Sequence, residues 1–136
     1  MKKVLNQTLT FTVIISLLIC SPGFFTSKSI AREAFKNISV LEANQMIKLQ
    51  TIHILDVRTD VEYAQSHIKD AVLIPLMVLS SRLHELKDEQ NILVYCYSGN
   101  RSKTACEYLA SKSFKHVYNM LGGISSWIEA GYEVTK

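Results

Sequence analysis

Cys96 follows a short apolar run, Asn91 to Tyr95 (NILVY), and precedes Tyr97-Ser98-Gly99-Asn100-Arg101-Ser102, residues that are small, polar or basic. The run is rich in β-formers and long enough to cross a sheet once. From Arg101 onward the pattern turns helical, with Ala105, Leu109 and Ala110 on one face. The stretch therefore reads as strand, tight loop and helix, with a thiol at the strand's carboxyl end. In such a loop successive backbone N–H groups can turn inward, and the following helix adds its positive N-terminal end. That environment stabilises a thiolate, the reactive form of cysteine. Cys96 is therefore expected to be a nucleophile. Tyr97, Ser98, Gly99, Asn100, Arg101 and Ser102 form the expected substrate cradle, and Arg101 is its only formal positive charge.

Elements on either side must position this loop. Lys36 to Ser39 reads as a first short strand, and Ser39 caps a helix over Val40 to Leu49, with Glu42 completing a capping box. Thr51 to Val57 (TIHILDV) is a second strand, ending in Asp56 and Arg58, and Thr59 or Asp60 opens a short helix through Gln65. Ala71 to Ile74 is a third strand, closed by Pro75, and Leu76 to Leu86 has apolar residues at helical spacing. After the Cys96 stretch come a helix to about Lys112, a fifth strand at His116 to Met120, and a helix from Ile124 to Ala130 that Gly131 stops. Strands alternating with helices predict an α/β fold: a roughly five-stranded parallel sheet with helices on both faces, in three layers. Chemistry in such folds collects at the carboxyl ends of the strands. Asp56, Arg58 and Cys96 are therefore expected on one rim. Asp56 and Arg58 read as supporting residues, Asp56 accepting N–H groups and Arg58 pairing with Glu62 four residues on. Cys106 sits mid-helix and reads as a small core residue, with a resolving thiol as the lesser reading.

At 136 residues the chain has room for one domain. Lys2 and Lys3 followed by the uncharged run Leu9 to Cys20 (LTFTVIISLLIC) read as an export signal, too short in its apolar core to span a bilayer. Cleavage sites of small residues follow Gly23 and Ala31. Residues 1–31 are thus expected to be a secretory signal and its cleavage region, and 32–136 the functional domain, periplasmic or secreted. Cys20 admits a lipid-anchored form as a minor alternative, against which stands the bulky Ile19 before it. Without Lys2, Lys3 and Lys28, 15 basic residues become 12 against 12 acidic ones. In a domain neutral overall, nothing suggests a nucleic-acid binder. Only Cys96 and Cys106 remain in it, too few for a disulfide scaffold, and no CxxC, metal-spaced Cys/His cluster or GxxxxGK[ST] loop is present.

From about Ser39 to Val134 the chain resembles a single-domain rhodanese. Leu55-Asp56-Val57-Arg58, Glu62-Tyr63, His67-Ile68, Ala71 and Ile74-Pro75 are similar to the family's first signature. Cys96 to Arg101 match its active-site loop, and Leu121-Gly122-Gly123, Trp127 and Ala130-Gly131-Tyr132-Glu133-Val134 match its C-terminal signature. The resemblance implies a sulfurtransferase that needs no cofactor and no metal. Cys96 would take the outer sulfur of a donor such as thiosulfate as a persulfide and pass it to cyanide, a small thiol or a protein thiol. In His67 it implies a residue that fixes a turn. The chain departs from the family with Ser66 and Asp70 where glycine is frequent, Leu73 where asparagine is, and Tyr97 where arginine is. Ser66 and Asp70 stand where a positive φ is expected, and Tyr97 lowers the expected affinity for a dianionic donor.

Two other functions fit parts of the pattern. A cysteine phosphatase or arsenate reductase uses a similar loop, but with its arginine one residue further on, to cradle a tetrahedral phosphoryl group. Cys96 to Arg101 is the shorter form, suited to a single sulfur atom. A rhodanese-like module that only docks a partner is the alternative from the binding class, and retention of Cys96 speaks against it.

Overall fold

Ser39 ends the first strand and starts the first helix. Its hydroxyl accepts the N–H of Glu42, whose carboxylate accepts the N–H of Ser39 in return, at 3.2 and 2.9 Å. This is the capping box that the Ser-x-x-Glu spacing predicts. The computed structural model describes residues 34–136, so the expected signal segment 1–31 lies outside the described residues. Among the described residues no helix is long and apolar enough to cross a membrane.

Five strands make one sheet: β1 (Lys36–Ile38), β2 (His53–Asp56), β3 (Val72–Leu73), β4 (Ile92–Tyr95) and β5 (Val117–Met120). Their order is β1-β5-β4-β2-β3, and every pairing is parallel. The α-helices are α1 (Val40–Lys48), α2 (Asp60–Gln65), α3 (Leu79–Arg82), α4 (Asn100–Ser111) and α5 (Gly123–Glu129). The period-two alternation of the strands sends side chains to two cores. Leu55, Ile92, Val94 and Cys96 face the layer of α3 and α4, with Leu79, Ala105, Cys106 and Leu109. Ile54, Leu93, Tyr95 and Met120 face the other layer, with Ala43 of α1 and Ile124 and Trp127 of α5. The three-layer α/β arrangement expected from the sequence is therefore present.

The second strand is trimmed to His53–Asp56, and two elements differ further from expectation. The third strand shrinks to Val72–Leu73, because the Ala71 N–H turns back to the Ile68 carbonyl. The expected helix over Leu76 to Leu86 is three short pieces: a 3-10 turn at Leu76–Val78, then α3, then a second 3-10 turn at Leu83–Glu85. Leu76, Leu79, Leu83 and Leu86 recur at intervals of three and four, which either helix type satisfies.

Candidate active site

β4 is the central strand, and it carries Cys96 to the carboxyl edge of the sheet between β5 and β2. The side chain is 1% exposed. Its Sγ accepts the N–H of Gly99 at 3.1 Å and lies 3.5 Å from the Ser102 hydroxyl. Gly99 caps α4, so the helix N-terminus opens directly onto the sulfur. Burial raises the pKa of this thiol. The Ser102 hydroxyl and the backbone N–H groups of Ser102, Gly99 and Ser98 outweigh burial, and the net value lies below that of an ordinary cysteine. Tyr97, Ser98 and Asn100 are exposed at the mouth of the loop, whereas Gly99 and Ser102 are buried beside the sulfur.

The loop amides face inward because its carbonyls are held from outside. The Ile124 N–H donates to the Cys96 carbonyl at 2.8 Å, and the Ser125 N–H to the Tyr97 carbonyl at 3.1 Å. Both come from the first turn of α5, whose free N–H groups need acceptors. Gly123 allows this approach. Its φ is +59°, and a Cβ there would run into the backbone of Cys96 and Tyr97. Gly122-Gly123 thus seat α5 against the reactive loop.

Arg101 does not stand free. Its Nη1 and Nη2 donate to Glu62 Oε2 and Oε1 at 2.8 and 2.6 Å, a two-pronged ion pair between α4 and α2. Glu62 is also the third residue of α2, where it completes a capping box with Thr59. The Arg101 guanidinium, helped by the Thr59 groups against a smaller effect of burial, holds the Glu62 carboxyl down to about 2. The expected partner of Glu62 was Arg58. That pairing fails because Arg58 precedes α2, so the two residues do not share a helix face.

Arg58 instead closes on Asp56. Its Nη2 donates to Asp56 Oδ2 at 2.6 Å, its Nε donates at 3.0 Å, and its backbone N–H donates to Oδ1 at 2.9 Å. Nη2 also donates to the Ser66 carbonyl at 2.7 Å, and the guanidinium carbon lies 5.5 Å from the Tyr95 ring centroid. Both residues are buried. The pair sits at the same end of the sheet as Cys96 but on the Tyr95 side, so its hydrogen bonds brace the strand ends and none reaches the sulfur.

Cys106 is fully buried on the α4 face, and burial pushes its thiol far up. His67 fixes a turn: its Nδ1 lies 3.0 Å from the Tyr63 carbonyl, and its ring stacks on Tyr63. Asp70 takes a positive φ of 63°, as expected, whereas Ser66 is extended at −168° and needs no glycine. The sequence reading placed Glu62 beside the wrong arginine and missed Asn119. The Thr-x-x-Glu box fixes Glu62 at the start of α2, but its partner, Arg101, is 39 residues away. Asn119 carried the signal of an amide inside an apolar strand, and it accepts the Ser102 hydroxyl at 2.7 Å.

A central parallel strand that ends in a buried cysteine, with the loop after it shaped by two helix N-termini, defines a cysteine-loop α/β protein. A family profile described as a rhodanese-like domain matches residues 39–130, and the chain belongs to that family. It is 36% identical over 93 residues to the thiosulfate sulfurtransferase GlpE of Coxiella burnetii, covering 68% of this chain and 87% of that relative. It is 32% identical over 92 residues to a sulfurtransferase of Allochromatium vinosum, covering 68% of this chain and 86% of that one. Among solved structures, a rhodanese-related protein from Thermoplasma volcanium superposes with a TM-score of 0.69 at 32% identity, over 74% of this chain and 97% of that one.

Proposed function

We propose that the protein is a sulfurtransferase that carries sulfane sulfur on Cys96. The observation that carries this reading is the Cys96 sulfur itself, buried at a helix N-terminus with the Gly99 N–H at 3.1 Å. Relatives named as sulfurtransferases support the same reaction class. In the first half-reaction the Cys96 thiolate attacks the outer sulfur of a donor such as thiosulfate. The bond between the two donor sulfurs breaks, sulfite leaves with its electron pair, and Cys96 holds a persulfide. In the second, cyanide or an acceptor thiolate attacks the terminal sulfur, thiocyanate or a new persulfide departs, and the Cys96 thiolate is restored. Each anionic state of the sulfur meets the same inward N–H groups, which need no reorganisation between half-reactions.

Tyr97, Ser98, Asn100 and Arg101 form the mouth through which donor and acceptor reach the sulfur. Arg101 offers the donor a charge already shared with Glu62, so monoanionic donors compete well with dianionic thiosulfate here. Asp56 and Arg58 support the strand ends and take no chemical part. Small sulfur compounds, and thiols of partner proteins, are the substrates.

The test is direct. Purified protein, treated with thiosulfate, gains the mass of one sulfur atom, releases it as thiocyanate on adding cyanide, and does neither as Cys96→Ser. Equal thiocyanate production by both proteins would overturn the assignment.

We also propose, from the sequence alone, that residues 1–31 direct export and that the domain works in the periplasm or outside the cell. Amino-terminal sequencing of the protein from its native cell checks this, and a product with Met1 intact in the cytoplasm refutes it.

A further inference from the structure

Behind Cys96, on the side away from the mouth, a line of polar side chains runs through the protein. Ser102 Oγ lies 3.5 Å from Cys96 Sγ, 2.7 Å from Asn119 Oδ1 and 3.1 Å from the Gly99 carbonyl. Asn119 Nδ2 donates to Asn37 Oδ1 at 2.9 Å. Asn37 and Asn119 are register partners on β1 and β5, so their side chains leave the same face of the sheet. Ser102 is fully buried and Asn119 is 2% exposed, whereas Asn37 is exposed. The line therefore leads from the reactive sulfur, through two buried groups, to solvent.

One hydroxyl proton serves three acceptors on Ser102. With the Asn119 oxygen turned toward it, that proton belongs to the 2.7 Å contact, and Oγ offers the sulfur only a lone pair. This suits a thiol, whose S–H is a donor. A thiolate or persulfide needs the reverse. A half-turn of the Asn119 amide presents Nδ2 to Oγ and releases the Ser102 proton toward the sulfur. Asn37, free at the surface, makes the matching turn. An amide can serve both polarities because it carries a donor and an acceptor at equivalent positions, and which end faces Ser102 is set by the hydrogen-bond network.

We propose that Asn119 is a positioning residue for the Cys96 sulfur, acting through Ser102 by reversing the direction of this hydrogen-bond line when the sulfur changes from thiol to anion. The proposal rests on Cys96 as the nucleophile. It has a direction. Without Asn119, the thiol state loses little, because the Ser102 proton turns to the Gly99 carbonyl. The anionic state loses the donor that polarises the Ser102 hydroxyl, with no replacement. The other titratable groups that act on Cys96 are Arg101, tied to Glu62, and buried Cys106, both from α4, and neither touches this line.

The experiment follows the thiolate rather than turnover. The pH dependence of Cys96 alkylation by iodoacetamide, localised by peptide mass spectrometry, is compared in the wild type, Asn119→Leu, Ser102→Ala and the double variant. Asn119→Leu moves the titration upward, leaving about 3- to 10-fold less thiolate at a fixed pH below the midpoint. The same substitution moves nothing further in the Ser102→Ala background. An unmoved titration in Asn119→Leu, or a shift of the same size with Ala at 102, overturns the proposal. A second measurement needs no change at Asn119. In the wild type its side-chain amide resonances titrate with the midpoint of Cys96, and they stop doing so in Cys96→Ser. PH-independent resonances overturn it equally. A wild type that makes no thiocyanate would refute the sulfurtransferase reading and leave the outcome of these titrations intact.

Discussion

Glu62 and Arg101 stand 39 residues apart in the chain and meet in two hydrogen bonds of 2.8 and 2.6 Å, joining the first turn of α2 to the first turn of α4. The loop's one cation is thus answered from within the protein before any substrate arrives. The Arg101 side chain remains partly exposed, at 37%.

Glu62→Gln separates these two effects. Glutamine keeps the capping box but removes the charge, leaving Arg101 to attract an anion. The KM for thiosulfate falls about two- to fivefold at low ionic strength and returns toward the wild-type value in high salt. Folding stability drops by about 1 kcal/mol, since the lost pair is partly exposed. Steady-state kinetics at two salt concentrations and a urea titration read both.

The thiol's pKa lies below its ordinary value, and this fixes two pH trends. The rate of Cys96 alkylation rises through the lowered pKa and levels off while an unfolded cysteine is still protonated. Stability follows the same sign. Between the folded and unfolded pKa the unfolded chain holds the extra proton, so this contribution grows as pH rises, is complete above the unfolded value, and is lost as pH falls through the folded one. The comparison of wild type with Cys96→Ser, by alkylation and by thermal melting across pH, shows the first trend as a rate and the second as a widening difference in Tm.

Two glycines with positive φ predict different outcomes. Gly131 has open space around its absent Cβ, so Gly131→Ala meets only backbone strain, about 1 kcal/mol. Gly123→Ala adds a collision with the Cys96 and Tyr97 backbone, and costs about 2–3 kcal/mol. Only Gly123→Ala also returns Cys96 toward ordinary thiol reactivity, because displacing α5 releases the loop carbonyls. Denaturation midpoints paired with alkylation rates distinguish the two.

Asp56→Asn leaves the buried Arg58 guanidinium without its counter-charge, and a broken buried pair costs about 3–5 kcal/mol. The alkylation rate of Cys96 in the folded protein stays at the wild-type value, since no hydrogen bond links this pair to the sulfur. A changed rate in a variant that is still folded would place Asp56 in the site.

Much of this was legible in the sequence. Capping residues, strand-forming runs and glycines act locally, so Ser39, the run ending in Tyr95 and the helix after Gly99 could be read within a residue or so of their observed limits. Cys96 and its loop were legible for the same reason: strand, loop and helix are contiguous. What escaped was set by contacts between elements distant in the chain. Nothing near Glu62 in sequence names Arg101 as its partner, and nothing near Ser102 names Asn119, because β5 becomes the neighbour of β4 only once the crossover through α4 is made. The segment from Leu76 to Leu86 escaped differently, since a three-and-four spacing of leucines does not choose between an α-helix and 3-10 turns.

The amides of Ile124 and Ser125, which hold the loop carbonyls of Cys96 and Tyr97, come from α5, the helix that follows the last strand, β5, in the chain. Until that helix docks, the loop is open on its outer side and its N–H groups have no fixed direction. A chain in which α5 is not seated therefore lacks the contacts that fix the loop around the thiol. The setting of the thiol thus depends on a helix contributed by a later part of the chain. In that sense the nucleophile reports on the completeness of the domain that surrounds it.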